Sequence, residues 1–214
     1  MSNKKTRILV LILVAWILLV SAALYPLLPD RVPSHWDADG QINGTLPKPV
    51  AVFLMPFIAL ALFILLNLLP RLDPRRDNIE KFRTYYNNFQ VILVAFLLYV
   101  HLLTLMAGLS EDFHFVRYLC VGLGFLFFAA GSLLQHTKRN WLIGIRTPWT
   151  LESEKVWDKT HAMASKLFQA LGILIAVSSL FIVRGLIWIV IVPLVLAVIY
   201  TLFYSYFLYR REKN

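Results

Sequence analysis

Apolar and polar residues alternate along this chain in long blocks. The apolar blocks cover residues 8–28, 50–69, 91–109, 116–134, 167–183 and 186–209. A helix of about 20 apolar residues crosses the roughly 30 Å hydrocarbon core of a bilayer, so each block predicts one transmembrane helix. Only Arg184 and Gly185 separate the last two blocks. One continuous helix over both would be about 64 Å long at 1.5 Å per residue, so we expect a tight helical hairpin there. The pattern predicts an all-α, polytopic bundle of six transmembrane helices.

The composition agrees with a membrane protein. The chain is 59% hydrophobic and 15% charged, whereas about a quarter of the residues of a soluble domain are charged. The net charge of +9 could indicate nucleic-acid binding, but 17 of the 21 Lys and Arg residues fall on the side that holds both termini. Because cytoplasmic loops carry an excess of Lys and Arg, we expect a multi-pass plasma-membrane protein with both termini in the cytoplasm. It should contact anionic lipids and not bind nucleic acid directly.

The N-terminus is similar to a signal peptide, since basic residues precede the first apolar block and residues 21–23 are small enough for a cleavage site. The apolar run continues to Leu28, which favours an uncleaved first helix. Cys120 is the only cysteine, so no intramolecular disulfide is possible.

The first outer loop, residues 28–49, is rich in Pro, Gly, Asp and Asn, which predicts turns rather than helix. His35, Asp37 and Asp39 would share one face of an extended segment and could bind a divalent metal ion. The alternative, which we favour, is a loop held by turn hydrogen bonds. An EF-hand is excluded because no Glu stands at the twelfth position of a loop that begins at Asp37.

The first inner loop, residues 70–88, contains a possible capping box. Asp77 would be the N-cap and Glu80 its partner three residues on. We expect a helix that starts there and runs into the third span. Its basic and aromatic first turns would serve as an interfacial anchor or as a docking surface for a cytoplasmic partner.

His101 lies inside the third apolar block. It could be a ligand or a proton relay, or it could hydrogen-bond a neighbouring helix. All twelve Asp and Glu residues lie outside the blocks, which argues against a proton-coupled transporter. The motifs of zinc proteases, P-loop ATPases and α/β-hydrolases do not occur. The sequence therefore nominates no enzyme activity, no catalytic residue and no cofactor.

The most polar interruption of the apolar pattern is residues 135–166, which contain six Lys or Arg, three Trp and two His. Pro148 cannot lie inside a helix, and Thr150 is a good N-cap residue. The sequence therefore predicts a helix from about Leu151 that continues into the fifth span.

One stripe of that helix should face the other inner elements. Its members are spaced i, i+4, i+7 and i+11, and they are Trp157, His161, Ala164 and Phe168. Arg146 precedes the helix start, so an anion such as a lipid phosphate could bind between its guanidinium and the positive end of the helix.

Three segments resemble the SdpI family of bacterial membrane proteins, typified by immunity to a sporulation-delaying peptide toxin. Residues 139–161 read RNWLIGIRTPWTLESEKVWDKTH and resemble the family signature. Residues 28–44, LPDRVPSHWDADGQING, are similar to a small module of unknown function that often precedes it. Residues 73–82, DPRRDNIEKF, resemble the first inner loop of the family. The resemblance divides the chain into a two-span module, 1–88, and a four-span region, 89–214.

The resemblance implies a role in toxin immunity and signalling. The partners would be a membrane-active peptide toxin and a cytoplasmic transcriptional repressor held at the membrane. The implied inner surface consists of Asn140, Gly144, Arg146, Thr147, Pro148, Trp149, Thr150, Glu154, Trp157 and His161. The implied outer-loop positions are Pro33, His35, Asp37 and Gly40. Two alternatives stay open, a small transporter or carrier and a membrane assembly factor, and no oligomeric state is predicted.

Overall fold

The computed structural model describes residues 1–182 and 185–214. In chain order its helices are α1 (Asn3–Leu24), α2 (Lys48–Leu72), α3 (Arg76–Lys81), α4 (Arg83–Leu109), α5 (Phe115–His136), α6 (Pro148–Glu152), α7 (Glu154–Phe181) and α8 (Leu186–Lys213). A 3₁₀ turn (Tyr25–Leu27) follows α1, and strands β1 (Arg31–Trp36) and β2 (Ile42–Pro47) precede α2. Six of these helices are long and apolar enough to cross a membrane, which confirms the six-span, all-α prediction.

The connection between the fifth and sixth spans falls partly outside the described residues. The structure does not describe Val183, where the fifth apolar block ends, or Arg184, the first residue of the expected turn. Gly185 is described, and its φ of 72° is left-handed. Glycine adopts this conformation without a Cβ clash, and α8 begins at the next residue.

Both termini lie at one end of the bundle. The Met1 carbonyl accepts a hydrogen bond of 2.9 Å from Asn87 in α4. Near the other terminus, Glu212 accepts one of 2.6 Å from Ser153. We call this the terminal end, and it also carries α3 and α6. The opposite end, with β1, β2 and the α4–α5 connection, is called the hairpin end.

The bundle packs around α4 and around the α5–α7 pair. α4 contacts α1, α2 and α5, and α5 makes its most extensive contact with α7. The α5–α7 contact is close because glycines on the two helices face each other. A Cβ on Gly124 would lie 2.6 Å from the Gly172 carbonyl oxygen, so neither helix could approach as closely with a larger residue.

His101 forms an interhelical hydrogen bond. Its Nε2 lies 2.8 Å from the hydroxyl of Ser21 on α1, and both side chains are buried. The Ser21 hydroxyl also donates to the carbonyl of Ile17, so it accepts from His101. This contact matches the expected hydrogen bond between helices. The ligand and proton-relay alternatives stay predictions.

The first outer loop forms a β-hairpin, which the turn-rich sequence did not predict. β1 pairs with β2 in antiparallel orientation, with register shifts near His35. The tip is held by the Asp37 carboxylate, which accepts hydrogen bonds from the backbone N–H groups of Asp39 (3.0 Å) and Gln41 (2.8 Å). These are the turn hydrogen bonds that the sequence favoured. Among the described residues, His, Cys, Asp and Glu form no group of three that could hold a metal ion.

The predicted capping box at Asp77 is wrong. The N-cap of α3 is Arg75, two residues earlier than predicted, and no side chain caps the helix. Glu80 pairs instead with Arg83, and that hydrogen bond lowers the pKa of the Glu80 carboxyl. The helix also does not run on, because Phe82 leaves helical geometry at φ −120° and ψ 19°. Phe82, the residue at the break between α3 and α4, is buried in a cluster with Ile79, Tyr86 and Leu133.

Candidate functional site: the signature loop at the terminal end

The segment between α5 and α7, residues 137–153, is called the signature loop. Its first turn is organised by Asn140, which is fully buried. The Asn140 amide nitrogen donates to the carbonyls of Lys138 (2.8 Å) and Ile143 (2.9 Å). Its oxygen accepts from the N–H groups of Leu142 (2.9 Å) and Ile143 (2.6 Å). An amide side chain has two donors and one carbonyl oxygen with two lone pairs, so the hydrogen-bonding capacity of Asn140 is used entirely within the loop.

His161 on α7 supports the middle of the loop. Its Nε2 lies 2.9 Å from the Ile145 backbone nitrogen. Because a backbone N–H can only donate, Nε2 is unprotonated. Its Nδ1 lies 2.8 Å from the Trp157 carbonyl and therefore carries the proton. The ring is thus a neutral imidazole stacked on Trp157, with centroids 4.0 Å apart.

Gly144 passes directly over this imidazole. Its φ of +110° lies in the region that favours glycine. A Cβ there would lie 2.5 Å from His161 Nε2 and 3.3 Å from Trp157. Two independent constraints, backbone conformation and space, therefore require glycine at this position.

The helix start in this loop differs from the prediction. Thr147, not Thr150, is the N-cap, and Pro148 is the first residue of α6. Thr147 and Thr150 exchange side-chain and backbone hydrogen bonds as a capping box. α6 ends at Glu152, and a second cap, Ser153, starts α7 by accepting from the Val156 N–H. The predicted single helix from Leu151 is therefore two helices separated by Ser153.

The loop is attached to the C-terminal half of α8. The hydroxyl of Thr147 lies 3.2 Å from that of Ser205, and the ring of Trp149 packs 5.1 Å from that of Tyr206. Outside these contacts, Lys213 forms an ion pair of 3.1 Å with Glu152. Two hydrogen bonds lower the pKa of the Glu152 carboxyl, and the one from Tyr209 has a larger effect than the one from Lys213.

The loop is also attached to the α2–α4 connection. The Asp73 carboxylate accepts from the Trp141 N–H (2.8 Å), and Asn78 donates to the Arg139 carbonyl (2.8 Å). The guanidinium of Arg75 lies 5.5 Å from the centre of the Trp141 ring. These contacts join the signature loop and the α2–α4 connection at the terminal end.

The structure separates the predicted inner-surface residues by exposure. Most of them maintain the shape of the loop or the buried stripe of α7: Asn140, Gly144, Thr147, Thr150, Trp157 and His161. Three are exposed, Arg146, Pro148 and Glu154, and Trp149 is half-buried. Only these four exposed or half-buried side chains are accessible to direct contact with a partner. Their role in binding stays a prediction.

Two residues of the loop were not singled out from the sequence. Trp141 is 46% exposed at the surface beside Arg75. The signal available in the sequence was a Trp in a polar loop, since Trp is enriched at binding surfaces. Arg139 donates to the Glu152 carbonyl (2.7 Å) at the end of α6. No spacing rule identifies that contact.

The expected anion site at Arg146 needs a free guanidinium and an uncapped helix N-terminus, and the structure provides only the exposed guanidinium. The Arg146 guanidinium is exposed and donates to the Trp141 carbonyl at 2.6 Å. The helix that follows, α6, has five residues and its N-terminus is capped by Thr147. Anion binding at this position stays a prediction.

A polar pocket of about 440 Å³ opens at the hairpin end, between the hairpin tip and the α4–α5 connection. Asp39, Glu111 and Asp112 line it, as do Trp36 and Phe115, whose stacked ring centroids are 3.5 Å apart. The outer-loop residues that the resemblance nominated lie around this end. Pro33 is buried and Gly40 is half-buried, whereas His35 and Asp37 are exposed.

The six spans and the folded terminal-end loop define a polytopic helical membrane protein that presents a preformed loop surface at one end of its bundle. Comparison with known proteins assigns it further. The chain belongs to the SdpI/YfhL protein family, whose model matches residues 136–205, and a domain of unknown function, DUF1648, matches residues 10–60. These matches confirm the resemblance read from the sequence.

The chain is similar to the immunity protein SdpI of Bacillus subtilis (strain 168). The two are 30% identical over 207 residues, which is 97% of either chain. The similarity therefore includes the hairpin end, the signature loop and all six spans. No solved structure matches.

Proposed function

We propose that this protein protects its cell from a membrane-active peptide toxin and lies in the plasma membrane with both termini in the cytoplasm. The observation that carries the proposal is the similarity to an immunity protein over 97% of both chains. The orientation is supported by the 17 Lys and Arg residues on the side of the termini against four on the other.

The hairpin end is the proposed toxin-facing side. In this orientation its pocket opens to the outside of the cell, where a secreted peptide arrives. The pocket offers three carboxylates, Asp39, Glu111 and Asp112, against one lining arginine, Arg117, and it also contains the stacked rings of Trp36 and Phe115. These groups suit a peptide that carries both apolar and basic side chains.

The signature loop is the proposed contact for a cytoplasmic regulator. Trp141 and Arg146 are exposed there, and Trp and Arg are the residue types that most often dominate binding energy at protein interfaces. The buried contacts of Asn140 and His161 fix the loop before any partner arrives. Such pre-organisation lowers the conformational entropy that is lost on binding.

The test is survival of toxin-sensitive bacteria that express the chain and are challenged with a sporulation-delaying-type peptide. Wild type is compared, at matched membrane abundance, with a hairpin-end variant (Asp39→Asn, Glu111→Gln and Asp112→Asn) and a loop variant (Trp141→Ala and Arg146→Ala). We expect the wild type and the loop variant to protect and the hairpin-end variant to lose protection. Absence of protection by the wild type contradicts the immunity proposal.

The orientation has its own test, because Cys120 is the only cysteine and is buried. In a Cys120→Ser background, single cysteines replace Lys155 at the terminal end or Asp39 at the hairpin end. An impermeant thiol reagent added to intact cells should label the Asp39 position and not the Lys155 position. The reverse pattern contradicts cytoplasmic termini.

A further inference from the structure

A basic cluster lies between α7 and α8 at the terminal end. Lys155 and Lys159, one turn apart on α7, line a small pocket of about 160 Å³ with Arg211 and Glu212 of α8. The Glu212 carboxylate already accepts the 2.6 Å hydrogen bond from Ser153. The pocket therefore has three cationic side chains and one carboxylate, which is already hydrogen-bonded to Ser153. This excess of positive charge favours binding of an anion.

A groove leads from this cluster along α8. A second recess, about 380 Å³, shares Leu208 and Arg211 with the basic pocket. A third, about 510 Å³, shares Tyr200 with the second and reaches Pro193. At 1.5 Å per residue, Arg211 stands about 16 Å from Tyr200 and about 27 Å from Pro193 along the helix axis. Neighbouring recesses share lining residues, so together they trace one path from the polar end of α8 past the middle of the span to Pro193.

The deep part of the groove is apolar and lies between two helices. Its α7 wall includes Ala170 and Leu174, and its α8 wall includes Pro193 and Ala197. The alanines leave space that larger side chains would fill. At this depth the helices are surrounded by lipid, so an acyl chain is the molecule available to occupy the space.

We propose that this groove is a binding site for one anionic phospholipid. The phosphate would lie among Lys155, Lys159 and Arg211, and one acyl chain would follow the groove past Tyr200. The roughly 16 Å from Arg211 to Tyr200 is close to the distance of about 15 Å from the edge of the hydrocarbon core to its centre, so the end of the chain would enter the deep recess, which begins at Tyr200. The site is separate from the signature loop surface at Trp141 and does not depend on the immunity role.

The test is native mass spectrometry of the full chain in mild detergent, titrated with phosphatidylglycerol and with phosphatidylcholine of the same acyl chains. We expect wild type to retain phosphatidylglycerol preferentially. A variant with Lys155→Gln, Lys159→Gln and Arg211→Gln should lose about fivefold in apparent affinity for each removed cation. Equal retention of the two lipids by wild type overturns the proposal, as does unchanged affinity in the triple variant.

A matched control removes the same number of charges at the same end of the bundle but away from the groove, at Lys4, Lys5 and Arg7. These side chains are exposed, and the control should bind like wild type. If it loses affinity as the groove variant does, the effect is general charge and the site is refuted.

A second variant tests the groove rather than the charges. Ala170→Trp fills the deep recess at an exposed, lipid-facing position, so the fold should tolerate it. We expect it to weaken retention of phosphatidylglycerol while the cluster stays intact. If Ala170→Trp has no effect and excess inorganic phosphate displaces the lipid, the cluster binds free phosphate and the lipid assignment is wrong.

Discussion

Replacement of Gly144 by Ala would disturb the signature loop in two ways that can be measured separately. The left-handed backbone costs an L-residue about 1–2 kcal/mol. The new Cβ would also lie 2.5 Å from His161 Nε2, so the ring must move away from the Ile145 N–H. Loss of that buried hydrogen bond costs about 1–3 kcal/mol more. We therefore expect Gly144→Ala to lower the free energy of unfolding by about 2–5 kcal/mol.

Gly40 supplies the matched control. Its φ of +84° is also left-handed, but a Cβ there would meet only Val116, at 3.5 Å, which is ordinary contact. Gly40→Ala should therefore show the backbone effect alone, about 1–2 kcal/mol. The assay is unfolding of the purified full chain in mild detergent by titration with a denaturing detergent, followed by tryptophan fluorescence.

A double-mutant cycle identifies the clash. His161→Ala removes the ring that the new Cβ would strike, so Gly144→Ala should be less damaging in that background than in wild type. Two results would refute the reasoning. One is equal destabilisation by Gly144→Ala and Gly40→Ala, and the other is strict additivity of Gly144→Ala with His161→Ala.

Three further substitutions test other parts of the fold by the same unfolding assay. Asn140→Leu should cost about 1–3 kcal/mol for each buried N–H left unpaired, and a total loss below about 1 kcal/mol would contradict the assigned contacts. Gly172→Ala would place a Cβ 2.5 Å from a facing backbone carbonyl and should cost about 1–3 kcal/mol. Gly122→Ala should cost less, because its Cβ would meet only side chains, the rings of Tyr99 and Phe96, which can shift more easily than a backbone carbonyl. The opposite order would refute the backbone contact. Ser21→Ala should cost about 0.6–1.7 kcal/mol by removing the partner of His101, and no measurable loss would show that this hydrogen bond contributes little.

The sequence predicted the spans well because bilayer thickness sets the length of an apolar helix. It predicted their polar ends less well. Thr147 and Thr150 are both good N-cap residues, so residue type alone does not show where the helix begins. Pro148 favours Thr147 as the N-cap, because proline is preferred at the first helical position. At α3, the spacing of Asp77 and Glu80 suggested a capping box, but Glu80 pairs with Arg83 instead and the helix begins at Arg76 without a side-chain cap.

The resemblance found the signature loop but not the roles of its residues. Asn140 folds the loop by contacts to neighbours two and three residues away, a conformation that no periodicity reveals. His161 was correctly placed on an inward stripe, but its acceptor role depends on Ile145, which comes from another segment. Exposure separates Trp141 from Trp157, although both are tryptophans in polar surroundings.

The attachment of the signature loop to α8 has a consequence for the order of synthesis. The loop leaves the ribosome before α8, yet Thr147 and Ser153 each make one side-chain hydrogen bond to α8, at Ser205 and Glu212. The loop therefore cannot reach its final form until nearly the last residue has been made. A chain truncated before Ser205 would insert most of its spans and still lack a finished loop surface, so a prematurely terminated product could occupy the membrane without presenting that surface to a partner.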